Sequence, residues 1–240
     1  MERLALVTGG TRGIGAAVSI ALRDAGYRVA ANFVGDEARA ASFSEKNGIA
    51  VYQWDVADGA SCRNGLKRVV RDYGPVDVLV NNAGITRDRA FHKMSEEDWF
   101  SVLNIDLNSC YHMCRGVMPS MRERGFGRIV NMSSLNGQRG RFGQANYSTA
   151  KAGMIGLTKA LAQEGARHGI TVNAVAPGHI ETELLQAASE TLIQMLKDEI
   201  PVGRLGTPKE VARCVVFLAA EEAGFITGST LTINGGTYMI

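Results

Sequence analysis

A short apolar run at the start of the chain leads into a glycine-rich loop and then a helical pattern, and this stretch restricts the possible folds most. Residues 4–8, LALVT, predict a buried strand; GGTRGIG follows at residues 9–15, and AAVSIALRDAG then shows the apolar period of a helix. Glycines let the backbone approach a pyrophosphate, whose charge is met by the free N–H groups of a helix N-terminus. The stretch therefore predicts a nucleotide-binding unit.

The glycine spacing alone gives only partial support for nucleotide binding. Gly9, Gly13 and Gly15 follow a T-G-x-x-x-G-x-G spacing instead of the G-x-G-x-x-G fingerprint. Tight turns also use glycine, so the position of the loop between a strand and a helix adds most of the weight.

Strand and helix patterns alternate along the rest of the chain. Further strands are predicted at RVAANF, IAVYQW, VDVLVN, GRIVNM, ITVNAV and STLTIN. Helices are predicted over residues 13–25, 37–46, 60–73, 95–124, 147–168 and 208–220. This alternation favours right-handed crossovers and an α/β fold of the Rossmann type, a doubly wound parallel sheet of about seven strands with ligands at the carboxyl ends of its strands.

Length and charge narrow the organisation and the partners. The 240 residues, 45% of them hydrophobic, suit a single domain over residues 1–240 with a sizeable core. A formal charge of +2 gives little reason to expect nucleic acid or an anionic membrane as a partner. No apolar run approaches the ~20 residues of a membrane span, and the chain enters its first strand without a secretory signal. We therefore expect a cytoplasmic location.

The cysteines and histidines do not indicate a metal site. Four cysteines are scattered along the chain, and in the cytoplasm we expect them to be reduced. Cys110 and Cys114 share a helix face, but no set of histidine and cysteine partners completes a ligand group. No nucleophile, histidine and acid combination stands out either, so a hydrolytic triad is unsupported.

A tyrosine and a lysine one helical turn apart, Tyr147 and Lys151 in NYSTAK, are candidate catalytic residues. Positions i and i+4 share a helix face, and a neighbouring ammonium lowers the pKa of a phenol, which favours proton exchange near neutrality. Ser134, in NMSSLNG, offers a hydroxyl that can orient a carbonyl group. Such a pair also occurs by chance on helix surfaces, so the surrounding motifs must decide.

Several motifs occur in an order that resembles the short-chain dehydrogenase/reductase family. They are TGGTRGIG, Asp55 in WDVAD, NNAG at 81–84, Ser134, Tyr147, Lys151, PG at 177–178 and NGG at 234–236, and they cover nearly the whole chain. Within the family, NNAGITRD, SLNGQRGRFGQANYSTAKAG and PGHIET most resemble acetoacetyl-CoA reductases of the polyhydroxyalkanoate pathway. The 3-oxoacyl-(acyl carrier protein) reductases of fatty-acid synthesis are similar as well.

The resemblance implies a nicotinamide dinucleotide as cofactor and assigns roles around it. Asp55 would lie near the adenine, the backbone of residues 82–84 around the cofactor, and Thr182 at the nicotinamide carboxamide. The predicted cofactor-binding residues are Gly9, Thr11, Arg12, Gly13, Ile14, Gly15, Arg39, Asp55, Asn82, Ala83, Gly84, Ile85, Tyr147, Lys151, Pro177, Gly178, Ile180 and Thr182.

The charges after the second strand favour NADP(H) over NAD(H). An acid at that strand end would bind a ribose 2′-hydroxyl and repel a 2′-phosphate, but this strand ends Ala31-Asn32-Phe33-Val34. Arg12 in the glycine loop and Arg39 could instead bind the phosphate. Two alternatives stay open, because Arg12 could be a solvated loop charge and Asp36 could reach back to the ribose.

The implied reaction is reduction of a 3-oxoacyl thioester to the (R)-3-hydroxy product. Tyr147 would donate the proton, Ser134 would hold the substrate oxygen, and Lys151 would assist the phenol and contact the nicotinamide ribose. One position departs from the family, since Asp106 in NIDLNS stands where many relatives have Asn. Asp106 is expected to strengthen the charge on Lys151 while altering the water relay behind it.

Five residues are predicted near the acyl group by resemblance to acetoacetyl-CoA reductases, and they are Asp88, Arg141, Phe142, Gln144 and His179. His179 replaces a common Tyr, and Arg141 and Phe142 could simply shape their loop. Coenzyme A and acyl carrier protein both present phosphopantetheine, so a basic patch should distinguish them. Arg122, Arg124 and Arg128 could serve the phosphates of CoA, an acidic carrier protein, or only solvent.

Residues 181–205 interrupt the helical pattern and could form a substrate lid, with a static helical insert as the alternative. The family also suggests a homotetramer, built partly from the helices at 95–124 and 147–168 and from the C-terminal segment. An acyl-CoA reductase is the leading prediction, and the carrier-protein reductase is its close rival. A catalytically weak, nucleotide-sensing interaction protein with the same fold is the remote alternative.

Overall fold

A single parallel sheet organises the molecule. The computed structural model describes residues 2–186 and 189–239. Its strands are β1 Leu4–Val7, β2 Arg28–Phe33, β3 Ala50–Gln53, β4 Val78–Asn81, β5 Gly127–Met132, β6 Ile170–Pro177 and β7 Thr230–Ile233. They pair in the order β3-β2-β1-β4-β5-β6-β7, with every pair parallel. The predicted seven-stranded, doubly wound Rossmann-type domain is confirmed.

Helices cover both faces of the sheet. They are α1 Gly13–Asp24, α2 Glu37–Asn47, α3 Gly59–Tyr73, α4 Glu96–Val102, α5 Ser109–Arg124, α6 Leu135–Arg139, α7 Ala145–Gly165, α8 Glu183–Gln186, α9 Glu190–Asp198 and α10 Pro208–Ala219. Across the described part of the chain, none of them is long and apolar enough to cross a membrane.

The sheet separates two apolar cores because successive strand side chains point to opposite faces. In β1, Leu4 and Leu6 pack into the core beneath α3 and α5, whereas Ala5 and Val7 pack into the core beneath α1 and α10. The inner strands β5 and β6 are buried over their whole length, as expected for parallel strands with helices on both faces.

The strand order changes direction between β1 and β4, because the chain builds outward from β1 to β3 and then returns to the other side of β1. A crevice opens at the carboxyl ends of the strands at such a switch point, and ligands of α/β sheets bind there. The glycine loop follows β1 and the NNAG segment follows β4. The fold therefore brings these two predicted motifs to the two sides of one crevice.

The predicted helix over residues 95–124 is wrong in one respect. A π-helical segment, Leu103–Asn108, separates α4 from α5. A π turn holds one more residue than an α turn, and such turns are frequent at functional sites. A regular apolar period does not reveal this insertion. Asp106 lies within the segment and is fully buried, whereas Asn104 and Asn108 are exposed and bond to each other.

The remaining boundaries agree with the sequence patterns. Each predicted strand matches the structure to within two residues at either end, and the predicted helix ranges miss α6, α8 and α9. In the segment 181–205, α8 and α9 account for the broken amphipathic pattern. Ala187 and Ala188 lie outside the described residues. Lid closure by this segment stays a prediction.

Candidate active site

Close packing against α1 fixes the glycine loop. Gly9 and Gly13 have φ of +59° and +53°, values that side chains other than glycine rarely adopt. A Cβ atom at Gly15 would overlap the carbonyl oxygen of Gly9, and a Cβ at Gly10 would come within 2.8 Å of Ser19 Oγ. Ser19 also donates a hydrogen bond to the Gly10 carbonyl oxygen at 2.9 Å. The loop can therefore bring its backbone close to a ligand only with these glycines.

The first turn of α1 presents backbone N–H groups to the crevice. Arg12 is the N-cap residue, with extended φ and ψ of −148° and 162°, and its own side chain makes no capping hydrogen bond. Helix N-termini of this kind bind phosphate groups, because the N–H groups and the helix dipole both favour an anion. The backbone of Gly13, Ile14 and Gly15 thus fits a dinucleotide pyrophosphate, with buried Thr11 beside it.

A clamp of hydrogen bonds joins the glycine loop to the NNAG segment. The Thr8 hydroxyl oxygen accepts from the backbone N–H groups of Asn82 and Ala83 at 2.9 and 3.1 Å. The Asn82 side-chain amide donates back to the carbonyl oxygens of Thr8 and Gly9 at 2.9 and 3.2 Å. On the other side, buried Asn32 accepts from the Gly9 N–H and donates to Trp54 O. The clamp holds both sides of the crevice together.

The side of the crevice where we expect the adenosine lies beyond β2 and β3. Asp36 caps α2, since its carboxylate accepts the Arg39 N–H at 2.9 Å. The Arg39 guanidinium forms an ion pair with Glu183 of α8. Arg12 is exposed on the same side, and Asp55, after β3, accepts the Ala57 N–H at 2.9 Å.

Ser134, Tyr147 and Lys151 lie on consecutive elements after β5. Ser134 is the N-cap of α6, and its hydroxyl oxygen accepts the Asn136 N–H at 3.1 Å. Tyr147 stands half-buried in the first turn of α7, and Lys151 follows one turn later. The Lys151 Nζ atom lies 5.5 Å from the centre of the Tyr147 ring. The predicted arrangement of an ammonium beside a phenol is present.

Lys151 is held by a buried ion pair. Its Nζ atom lies 3.2 Å from Asp106 Oδ2 and donates to the Met132 carbonyl oxygen at 2.9 Å. The second oxygen of Asp106 accepts the Ile85 N–H at 2.8 Å. A Cβ atom at Gly84 would lie 2.7 Å from Asp106 Oδ2 and 3.4 Å from Lys151 Nζ. Glycine at 84 therefore leaves the space in which this ion pair forms.

The ion pair shifts the titration of both groups. Burial raises the pKa of the Asp106 carboxyl, and the Lys151 ammonium and the Ile85 N–H offset part of this rise. Burial is the largest single influence and would lower the pKa of Lys151, but the Asp106 carboxylate, together with Tyr147 and Cys110, raises the lysine pKa overall. Lys151 therefore stays protonated near neutral pH.

Gln144 connects the two loops at the mouth of the site. Its side-chain oxygen accepts from Asn136 Nδ2 at 2.9 Å, and its nitrogen donates to Asp88 Oδ2 at 2.8 Å. The Arg89 N–H donates to the Gly143 carbonyl oxygen at 2.8 Å, which ties the same loops together through their backbones. The structure thus brings the predicted substrate residues Asp88 and Gln144 into direct contact.

The other predicted substrate residues are less tightly placed. Phe142 is 92% exposed, and Arg141 is exposed beside it, so neither packs into the site. His179 follows Pro177 and Gly178 and is half-buried. Burial lowers the pKa of His179, and the charges of Arg141 and Arg139 lower it further. His179 therefore lies near the charges of Arg139 at the end of α6 and Arg141 in the following loop, and it is neutral near pH 7.

The structure corrects the proposed basic patch. Arg128 is buried and donates to backbone carbonyl oxygens of Gly127, Gly169, Ala220 and Glu221. Arg124 pairs with Asp77, and Arg122 donates to the Glu164 carbonyl oxygen at 3.1 Å. These contacts bind segments within the fold near the amino end of β5, so the three arginines do not form a free basic patch. Instead, four exposed arginines lie at the mouth, three on its loops and one at the end of α6: Arg87, Arg89, Arg141 and Arg139.

Several residues that hold the site residues in place through hydrogen bonds were not predicted from the sequence. Thr8 and Asn32 hold the glycine loop, and Asn136 orients Gln144. Asn146 donates to the carbonyl oxygens of Arg87 and Asp98, which anchors the start of α7. A polar residue inside an otherwise apolar run, such as Asn32 in RVAANF, was the available signal. Among the described residues, no group of three or more histidine, cysteine or acidic side chains could hold a metal ion.

Known proteins similar to this chain agree with its motifs. A family model described as enoyl-(acyl carrier protein) reductase, one of those for short-chain dehydrogenases/reductases, matches residues 9–238. Acetoacetyl-CoA reductases from Rhizobium meliloti (strain 1021) and Shinella zoogloeoides are 59% and 57% identical, covering 99% and 100% of both chains. A 3-oxoacyl-[acyl-carrier-protein] reductase from Haemophilus influenzae is 43% identical over 99% of this chain and 98% of its own.

A solved structure shares the fold of this chain over nearly its whole length. A crystal structure of an Agrobacterium tumefaciens protein, assigned as a gluconate dehydrogenase, superposes with a TM-score of 0.95. It is 32% identical and covers 99% of this chain and 96% of its own. With the family model and the full-length relatives, this shows that the chain belongs to the short-chain dehydrogenase/reductase family.

Proposed function

We propose that this protein uses NADPH to reduce acetoacetyl-CoA, and 3-oxoacyl-CoA thioesters of the same class, to the (R)-3-hydroxyacyl product, as in polyhydroxybutyrate synthesis. The observation that carries the proposal is the buried, charged Lys151 beside Tyr147, at the edge of a crevice that fits a dinucleotide. The similarity to acetoacetyl-CoA reductases over the full length of both chains supports the choice of substrate.

A carbonyl becomes an alcohol when it receives one hydride and one proton. The nicotinamide supplies the hydride when bound, so the protein must supply the proton. Tyr147 Oη donates it to the carbonyl oxygen, which the Ser134 hydroxyl holds in place. The Lys151 ammonium stabilises the phenolate that remains, and the Asp106 carboxylate and the Met132 carbonyl oxygen hold that ammonium near the ring.

The cradle supports NADP(H) as the cofactor. The free N–H groups of α1 fit the pyrophosphate, and Pro177, Ile180 and Thr182 are proposed for the nicotinamide side. Two observations support a 2′-phosphate in preference to a bare ribose. Asp36 already accepts the Arg39 N–H as the cap of α2, and Arg12 and Arg39 both lie on the adenosine side.

Replacing Asp106 by Asn should shift the pH dependence of catalysis. The carboxylate raises the pKa of Lys151 against the effect of burial, so its removal lets that pKa fall. The lysine then loses its proton at a lower pH, and we expect the alkaline limb of the kcat profile to move toward neutrality. Rates measured from about pH 6 to about pH 10 report this shift.

The control for this variant is Glu97→Gln, which removes an exposed carboxylate from α4 and should leave the profile unchanged. Superimposable profiles for the Asp106→Asn and wild-type enzymes would show that the carboxylate is immaterial to the lysine.

The arginines at the mouth favour a polyanionic substrate. Arg87, Arg89, Arg139 and Arg141 form no ion pair within the described residues. Unpaired guanidinium groups bind phosphates well, and CoA carries several phosphate charges on its adenosine end. Asp88, Gln144 and His179 are proposed to contact the acyl group, and Gln144 joins Asp88 directly through a hydrogen bond.

A single assay tests the proposed function. NADPH oxidation is measured with acetoacetyl-CoA and with acetoacetyl-(acyl carrier protein), and NADH serves as the cofactor control. We expect faster turnover with the CoA thioester and with NADPH. A preference for the carrier protein would make the protein a fatty-acid reductase, and tight NADPH binding without turnover on either substrate would indicate a nucleotide-sensing interaction protein.

We also propose a homotetramer in the cytoplasm. Large apolar side chains stay exposed on the helices expected to form the assembly, including Phe100 and Tyr111, and near the C-terminus at Phe225 and Met239. Exposed apolar surface of this extent is typical of protein contacts. Light scattering of the purified protein measures its mass, and a monomer at all concentrations would contradict the proposal.

A further inference from the structure

An ion pair crosses the crevice on its adenosine side. Arg39 lies in the first turn of α2, just after β2, and Glu183 is the first residue of α8, directly after Thr182. The two residues are 144 positions apart in the chain, and the Arg39 guanidinium donates to Glu183 Oε1. The pair therefore joins the segment that follows β6 to the segment that follows β2.

The Glu183 carboxylate interacts with the same two arginines that we propose for the 2′-phosphate of the cofactor. The hydrogen bond and the charge of Arg39 lower the pKa of Glu183, and the charge of Arg12 lowers it further. These are the two arginines on the adenosine side that we assign to the 2′-phosphate. Since the pKa is lowered, the carboxylate stays charged at neutral pH and faces both of them.

The pair is weak enough to be displaced. The side chains of Arg39 and Glu183 are 38% and 63% exposed, and ion pairs at such positions contribute little to stability. A phosphate dianion makes stronger charge-assisted hydrogen bonds to a guanidinium than a solvated carboxylate does. NADP(H) can therefore break the pair, whereas NAD(H) has no group that competes for Arg39.

We propose that Glu183 is an internal competitor for Arg39 that sets the affinity of the crevice for NADP(H). In the cofactor-free protein the Glu183 carboxylate is bound to the Arg39 guanidinium. Arg39 can therefore bind the 2′-phosphate only in the fraction of molecules in which this ion pair is broken. After reaction the carboxylate returns to Arg39 and favours departure of the oxidised cofactor. This inference rests on the proposed preference for NADP(H).

The competition predicts a selective gain of affinity. Replacing Glu183 by Gln keeps the size of the side chain and removes its charge, so Arg39 becomes free in every molecule. We expect the Kd for NADPH to fall about two- to fivefold, since exposed pairs of this kind are formed most of the time but not always. The Kd for NADH should not change, and the KM for NADPH should fall with the Kd.

A double-mutant cycle separates this role from general repulsion of phosphates. NADPH and NADH are titrated by cofactor fluorescence into the cofactor-free wild type, Glu183→Gln, Arg39→Ala and the double variant. Glu190→Gln is the matched control, because it removes a neighbouring exposed carboxylate in α9 that forms no ion pair among the described residues. The expected result is that Glu183→Gln tightens NADPH binding only when Arg39 is present.

Each outcome has a distinct meaning. A wild type that binds NADH as tightly as NADPH would overturn the cofactor assignment on which the inference rests. A wild type that prefers NADPH, together with an unchanged Kd in Glu183→Gln, would overturn the competition alone. Equal tightening with and without Arg39 would show that the carboxylate repels the cofactor directly, and this too would overturn the proposed role of the pair.

Discussion

Replacement of Tyr147 by Phe is expected to lower kcat by about 10²- to 10⁴-fold, the range in which a positioned general acid contributes to catalysis. The change removes only the phenol hydroxyl, so the ring keeps its place in the first turn of α7, and Ser134 and Lys151 are left unchanged. NADPH binding should change little, because Tyr147 loses only one hydroxyl and most of the predicted cofactor contacts come from the glycine loop, the start of α1 and the NNAG segment. Steady-state NADPH oxidation and a fluorescence titration measure the two effects separately.

The control for this variant is Tyr73→Phe, which removes a hydroxyl from the last residue of α3, away from the predicted site residues, and should leave both measurements unaltered. Near wild-type turnover of the Tyr147→Phe enzyme, with cofactor binding intact, would exclude Tyr147 as the proton donor.

Replacement of Lys151 by Met should damage both catalysis and stability. The methionine fills a similar volume but removes the ammonium, so a phenolate at 147 is no longer stabilised and kcat should fall at least about 100-fold. Asp106 is left fully buried with the Ile85 N–H as its remaining partner. Breaking a buried ion pair in this way costs about 3–5 kcal/mol of unfolding free energy, which urea denaturation measures.

The second substitution Asp106→Asn separates these two effects. In the double variant no buried charge is left unpaired, so we expect most of the stability to return while activity stays low. Lys159→Met, at an exposed position of the same helix, controls for the loss of a lysine. A Lys151→Met protein as stable as the wild type would show that the carboxyl at 106 is neutral in the folded state.

Sequence patterns predicted the parts of the structure that are determined by residues close together in the chain. Apolar runs with glycines at their ends gave the strands to within two residues, and parallel strands must end at one edge, which brings GGTRGIG and NNAG together. The relation of Tyr147 to Lys151 follows from helix geometry alone, and the structure has it.

Contacts between distant segments could not be predicted in the same way. The π-helical turn at Leu103–Asn108 leaves no periodic signal, so the direct pairing of Asp106 with Lys151 was visible only as an unusual residue in a motif. Arg128 looked like part of a surface patch because its neighbours are also basic. Its partners include carbonyl oxygens from two distant parts of the chain, Gly169 and the adjacent pair Ala220 and Glu221, and only the folded structure brings them together.

The Thr8 hydroxyl, which accepts two successive N–H groups from the NNAG segment, has a consequence for how the cofactor associates. Because folding itself sets the width of the crevice, the pyrophosphate meets a rigid receptor, and little backbone entropy remains to be lost on association. The association rate constant of the cofactor, corrected for solvent viscosity, should then be the same at low and at higher temperature. In a Thr8→Val variant the side chain keeps its shape but cannot accept these hydrogen bonds. Each dinucleotide that binds would then have to order the crevice.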